Sequence, residues 1–81
     1  MKNILITGST GFLGSFLSLN LLSDPNNYLY LLVRGKSERE CAHRVADILK
    51  RVSGGFDIYS LKKRQIFILK GDISDPYLGI D

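Results

Sequence analysis

Three glycines, Gly8, Gly11 and Gly14, stand at intervals of three in the stretch TGSTGFLG, directly after the apolar run Asn3 to Thr7 (NILIT). Glycine loses more backbone entropy on folding than any other residue and gives a core no side chain, so a cluster where a strand gives way to a helix needs a positive reason. Such a junction supplies one. A tight turn, a ligand that must touch the backbone and a helix that must sit close to its sheet each exclude a Cβ. The amides left unpaired at a helix N-terminus, together with the helix dipole, attract a negatively charged group. Phosphate is the expected visitor.

The rest of the chain supplies the setting this reading requires. NILIT has the β-branched, apolar character of a parallel strand covered on both faces. Phe12, Leu13, Phe16, Leu17 and Leu21 recur at spacings of three and four, which predicts a helix from about Gly11 to Leu22 with that stripe turned to the core. SDPNN is a turn, and Tyr28 to Val33 (YLYLLV) is a second buried strand. Ser37 precedes Glu40 by three residues, the pattern of a capping box. The stripe Ala42, Val45, Ala46, Leu49 and Val52 then carries a second helix from about Glu38 to Val52, ending at Gly54 and Gly55. A third strand, Gln65 to Lys70 (QIFILK), ends at Gly71 and Asp72. Strand, helix, strand, helix, strand is the βαβαβ pattern of a parallel sheet with right-handed crossovers. The fold class is therefore α/β, a Rossmann-type parallel sheet of which the chain carries the N-terminal βαβαβ half only.

Composition narrows the class further. With 81 residues, 44% hydrophobic and 23% charged, the chain holds one small core and is not polar enough for disorder. A domain of this size buries only about 60% of the surface its unfolded chain exposes, so a ligand, a partner or further chain is expected to complete it. In a sheet ordered 3-2-1-4-5-6 the first strand is central, and stopping after the third leaves it with an unpaired edge. Residues 1–81 therefore read as the N-terminal part of an NAD(P)-binding domain, a fragment of a longer polypeptide. The single cysteine, Cys41, cannot form an internal disulfide and reads as helix packing; with no membrane span and no signal-peptide core, the expected location is the cytoplasm. No metal-ligating cluster appears. The net charge of +3 is modest, and the basic groups Lys62, Lys63 and Arg64 come without an aromatic stacking platform, so no nucleic-acid partner is expected.

The end of the second strand distinguishes between dinucleotides. An acid there accepts hydrogen bonds from the adenosine ribose, whereas an arginine pairs with an added 2′-phosphate. This chain has Arg34, followed by Gly35 and Lys36, which favours NADP(H). Gly35 reads as a position where the backbone approaches the ligand.

TGSTGFLG, LLVRGKS and KGDISDPYLGI, each following a strand, together resemble the N-terminal part of thioester reductase domains of the extended short-chain dehydrogenase/reductase superfamily. This group includes terminal reductase domains of nonribosomal peptide and polyketide synthetases, carboxylic acid reductases and fatty acyl-CoA reductases. The resemblance implies NADPH as cofactor. It implies as substrate an acyl thioester, held on a carrier protein or CoA and reduced to an aldehyde or an alcohol. It places Gly8, Ser9, Thr10, Gly11, Phe12, Leu13 and Gly14 in the pyrophosphate loop, Arg34 on the 2′-phosphate with Lys36 as a second contact, and Asp72 and Ile73 beside the adenine. Leu78 and Gly79 mark the family without a chemical role.

Catalysis in that superfamily rests on a Tyr-x-x-x-Lys pair from a later helix, which this sequence does not reach. Tyr59 and Lys63 match the spacing but lie between the second helix and the third strand, where they would not face a nicotinamide. His43 falls on the polar side of the second helix. Two other functions share parts of the pattern: a sugar-nucleotide epimerase or dehydratase, which shares TG-x-TGFLG, and a non-catalytic nucleotide-binding module that uses the half-fold as it stands.

Overall fold

A computed structural model describes residues 2–8 and 11–71. Strand β1 spans Lys2–Thr7, helix α1 Phe12–Leu21, β2 Asn27–Val33, α2 Glu38–Val52, the short helix α3 Ile58–Leu61 and β3 Ile66–Lys70, with one 3₁₀ turn at Lys63–Gln65 before β3. The strands form one parallel sheet in the order β1-β2-β3, in register from Lys2↔Asn27 to Thr7↔Leu32 and from Leu29↔Ile66 to Val33↔Lys70. This is the α/β half-sheet that the alternating pattern predicts.

Both crossovers step across the sheet in the same direction, so right-handed connections put α1 and α2 on one face. The core follows. Ile6 of β1, Leu29, Leu31 and Val33 of β2 and Ile66 of β3 alternate along their strands and meet Cys41, Val45 and Leu49 of α2 and Leu22 at the end of α1. The opposite face carries Leu5, Tyr30 and Phe67; Tyr30 stacks on Phe67 with ring centroids 4.9 Å apart, and Leu5 and Phe67 are exposed.

Helix α2 forms as its sequence dictates. Ser37 caps it by accepting from the Glu40 N–H at 3.1 Å, while Glu38 and Glu40 in the first turn and Lys50 and Arg51 in the last complement the helix dipole. Cys41, Val45 and Leu49 recur every four residues and make the buried edge. Truncating Leu49 to alanine would remove about 2–5 kcal/mol, the usual cost of emptying a filled core position. The helix stops where Gly55, at φ 106, donates its N–H to the Lys50 carbonyl at 2.7 Å.

Helix α1 turns a different side to the sheet from the one its spacing predicts. Ser15 and Ser18, 0% and 1% exposed, lie inside, whereas Leu13 and Leu17 are 81% and 50% exposed and Phe16 is exposed with them. Small residues let the helix backbone come close to the strands, and the Ser18 hydroxyl satisfies itself on the Gly14 carbonyl at 2.8 Å. An arc this rich in leucine and phenylalanine has no polar side to mark its outside, so spacing alone cannot choose the face.

Gln65 falls in the 3₁₀ turn rather than in β3 and is buried there. Its Nε2 donates to the Asp24 carbonyl at 2.8 Å and the Asn27 carbonyl at 2.9 Å, fastening the α1–β2 turn to the start of β3.

Candidate dinucleotide site

The C-terminal ends of β1, β2 and β3 lie side by side, since Thr7 pairs with Leu32 and Val33 with Lys70, and the Gly71 N–H continues the ladder to the Val33 carbonyl at 3.0 Å. Chain leaving this edge is where an open parallel sheet builds its ligand crevice. Two of the segments that leave it are described. Asp72 and Ile73, like Ser9 and Thr10 and the Leu78–Gly79 pair, lie outside the described residues.

The first segment is the glycine turn. Gly8 adopts φ 69 with nothing within 4 Å of where a Cβ would stand, so glycine serves its left-handed conformation there rather than a shortage of room. At Gly11 the reason is space. Its N–H donates to the Gly8 carbonyl at 3.0 Å, and an added Cβ would stand 3.3 Å from that same oxygen. Gly11 is also the N-cap of α1; it has no side chain to spend on the first amides, and the first turn of the helix holds no acid. The N-terminal amides of Phe12, Leu13 and Gly14 thus open a helix whose positive end meets no carboxylate of its own. That fits a pyrophosphate.

The second segment follows β2. Val33 is buried, and Arg34, Lys36 and Ser37 are exposed. Helix α2 holds this loop from beneath. The Arg44 guanidinium donates through Nη1 to the Arg34 carbonyl, the Glu40 carboxylate accepts the Lys36 N–H at 3.2 Å, and the Cys41 thiol donates to the Val33 carbonyl at 3.4 Å. Burial pushes the Cys41 thiol above its ordinary value and the Glu40 carboxylate acts the same way, so the sulfur keeps its proton at neutral pH. A Cβ on Gly35 would come within 2.7 Å of that sulfur. Sequence reasoning reads Gly35 as room for a ligand; in the structure a thiol six residues on occupies the room. Cys41, Glu40 and Arg44 escape a motif search, although their spacing puts all three on the first two turns of α2.

Tyr59 and Lys63 precede β3 and so belong to the opposite edge of the sheet, a strand length of roughly 17 Å from the glycine turn. Tyr59 packs against the core and His43 is exposed on α2. Among the described residues no group of His, Cys, Asp and Glu could hold a metal ion, and no helix is long and apolar enough to cross a membrane.

Residues 6–81, nearly the whole chain, match the NAD-binding family described as Male sterility protein. The chain belongs to this family. It is 33% identical over 87 residues to an isonitrile lipopeptide synthase of Mycobacterium tuberculosis, aligning 100% of this chain with 3% of the synthase. It is 36% identical over 84 residues to a Drosophila melanogaster protein named for fatty acyl-CoA reductase activity, 98% of this chain against 16% of that protein. The terminal R domain of the myxalamid PKS-NRPS pathway superposes on all of it with a TM-score of 0.83 at 36% identity, the chain covering 20% of that domain structure. The chain thus spans a fifth or less of each of these three relatives. Membership makes it part of an NAD-binding domain, and the glycine turn at the sheet's C-terminal edge is the feature that suits such a cofactor.

Proposed function

We propose that this Male sterility family segment is the NADP(H)-binding part of a reductase that passes hydride to an acyl thioester held on a carrier protein or on CoA. Arg34 carries the cofactor assignment. It is exposed at the end of β2, on the strand next to the one that ends in the glycine turn, and no Asp or Glu stands at that strand end to receive a ribose. A guanidinium presents a planar fork of donors suited to a 2′-phosphate, and Lys36 adds a second positive charge two residues on. Glu40, in the first turn of α2, is engaged by the Lys36 N–H.

The division of labour follows from position. The amides behind Gly11 hold the pyrophosphate, Arg34 and Lys36 take the 2′-phosphate, and Asp72 and Ile73 flank the adenine. Reduced nicotinamide, when bound, would supply hydride to the thioester carbonyl carbon, with the carbon–sulfur bond broken and thiol leaving with a proton to give an aldehyde, and a second hydride would give the alcohol. The residues that move the proton belong to the remainder of the polypeptide.

The test uses the full-length protein that carries this segment. NADPH oxidation, followed with an acyl thioester, should yield aldehyde or alcohol, and Tyr59→Phe should leave the rate unchanged. Turnover of a nucleotide sugar in its place would identify an epimerase or dehydratase. Cofactor binding with no turnover of either substrate would identify a non-catalytic module.

A further inference from the structure

We propose that the first two turns of α2 form a frame that sets the Arg34–Gly35–Lys36 loop, with Cys41, Glu40 and Arg44 as positioning residues for the choice between NADPH and NADH. This rests on the reading of Arg34 as the group that meets the 2′-phosphate. An arginine on a free loop samples many placements and loses that freedom on binding; one whose backbone is already held loses less and discriminates better.

The loop is held at three of its four residues from Val33 to Lys36, all from one helix. Val33 O receives the Cys41 thiol, Arg34 O receives Arg44 Nη1, and the Lys36 N–H is taken by Glu40 Oε2. The acid at the third helical position of a capping box ordinarily returns to the N–H of the cap residue; here it reaches one residue further, to Lys36. Ser37 completes the junction by capping the helix that carries the frame.

Gly35 shows how closely the two parts are matched. Its φ lies outside the left-handed region, so its conformation does not demand glycine. The demand comes from α2: an added Cβ would stand 2.7 Å from Cys41 Sγ, while the next neighbours, Cys41 N and Glu40 Cδ, are each at an ordinary 3.7 Å. The sulfur is wholly buried and its proton is committed to Val33 O, so it has little room to yield. Glycine at 35 and cysteine at 41 therefore fit as a pair, and the fit transmits the position of α2 to the residue after Arg34.

The pair makes a test by exchange. In the full-length protein, dissociation constants for NADPH and NADH are measured by titration, and the affinity ratio between them is the readout. Arg34→Ala should lower that ratio by about tenfold or more. Gly35→Ala should lower it by about fivefold with NADH affinity held within about twofold, and Gly35→Ala/Cys41→Ala, which removes the opposing sulfur, should recover part of that loss, to within about threefold of the parent, the remainder reflecting the lost hydrogen bond to Val33 O. Glu40→Ala and Glu40→Gln form a second arm on an exposed residue. The glutamine keeps an acceptor for Lys36 N–H, so its ratio should exceed that of the alanine variant by about threefold.

An unchanged ratio in Arg34→Ala would overturn the 2′-phosphate reading and the frame with it. A lowered ratio in Arg34→Ala with no change in Gly35→Ala, with equal losses for both cofactors, or without recovery in the double variant would overturn the frame alone. If Gly35→Ala does not fold, the Glu40 arm decides, and equal ratios for alanine and glutamine would overturn the frame.

Discussion

At the β1–α1 junction the described contacts are made by backbone: Gly11 N–H on Gly8 O, a glycine N-cap, no acid in the first helical turn. At the β2–α2 junction they are made by side chains: Ser37 caps, and Glu40, Cys41 and Arg44 hold the loop. Both junctions connect a parallel strand to a helix on the same face of one sheet, so topology does not account for the difference. On the proposed assignment, what each must meet does. A pyrophosphate is common to every dinucleotide and is met by amides that any sequence owns, provided no Cβ intervenes. A 2′-phosphate distinguishes one dinucleotide from another and calls for a placed cationic side chain, which in turn calls for a held loop.

The largest effect expected from breaking this contrast is at Gly11. Gly11→Val puts a branched side chain where a single Cβ already stands 3.3 Å from Gly8 O. Affinity for NADPH and NADH should fall together by about tenfold or more, ~1.4 kcal/mol per decade, in a protein whose circular dichroism is unchanged. Retained affinity in the folded variant would assign the glycine to helix packing alone.

A smaller effect follows from a titratable group that the second junction holds and the glycine motif lacks. Burial raises the Cys41 thiol above its ordinary 9.0, so the folded state favours the neutral sulfur. The stability this contributes is complete below the unfolded value and is lost as pH rises through the raised folded value. Urea midpoints taken at neutral pH and again above 9.0 should fall further for the parent than for Cys41→Ala. An identical fall in both would show that the thiol titrates as it does in the unfolded chain.

The same contrast explains what the sequence could convey. The glycine turn is local, written in consecutive residues, and the capping box and apolar stripe of α2 are equally local; Gly11 opens α1 and Ser37 caps α2 where the spacing predicts, and of the stripe Val45 and Leu49 are buried while Cys41, rather than Ala42, completes the buried edge. The face of α1 is not legible, because Leu13, Phe16 and Leu17 satisfy a core pattern as well as Ser15, Ser18 and Leu22 do, and only the close approach of helix to sheet selects the serines. The fit of Gly35 to Cys41 and the fastening by Gln65 of a turn 38 residues earlier are tertiary, set by how elements dock and carried by no motif. The expectations at Ser9, Thr10, Asp72 and Ile73 lie outside the described residues.

The central claim is that the two junctions divide the cofactor between them, the first binding what NADPH and NADH share and the second reading what sets them apart. It is tested most directly by the affinity of Arg34→Ala for each cofactor. The account predicts that NADPH binding weakens by about 1–3 kcal/mol, the range for a charge-assisted hydrogen bond, while NADH binding changes far less. Equal weakening of both, or of neither, would contradict it.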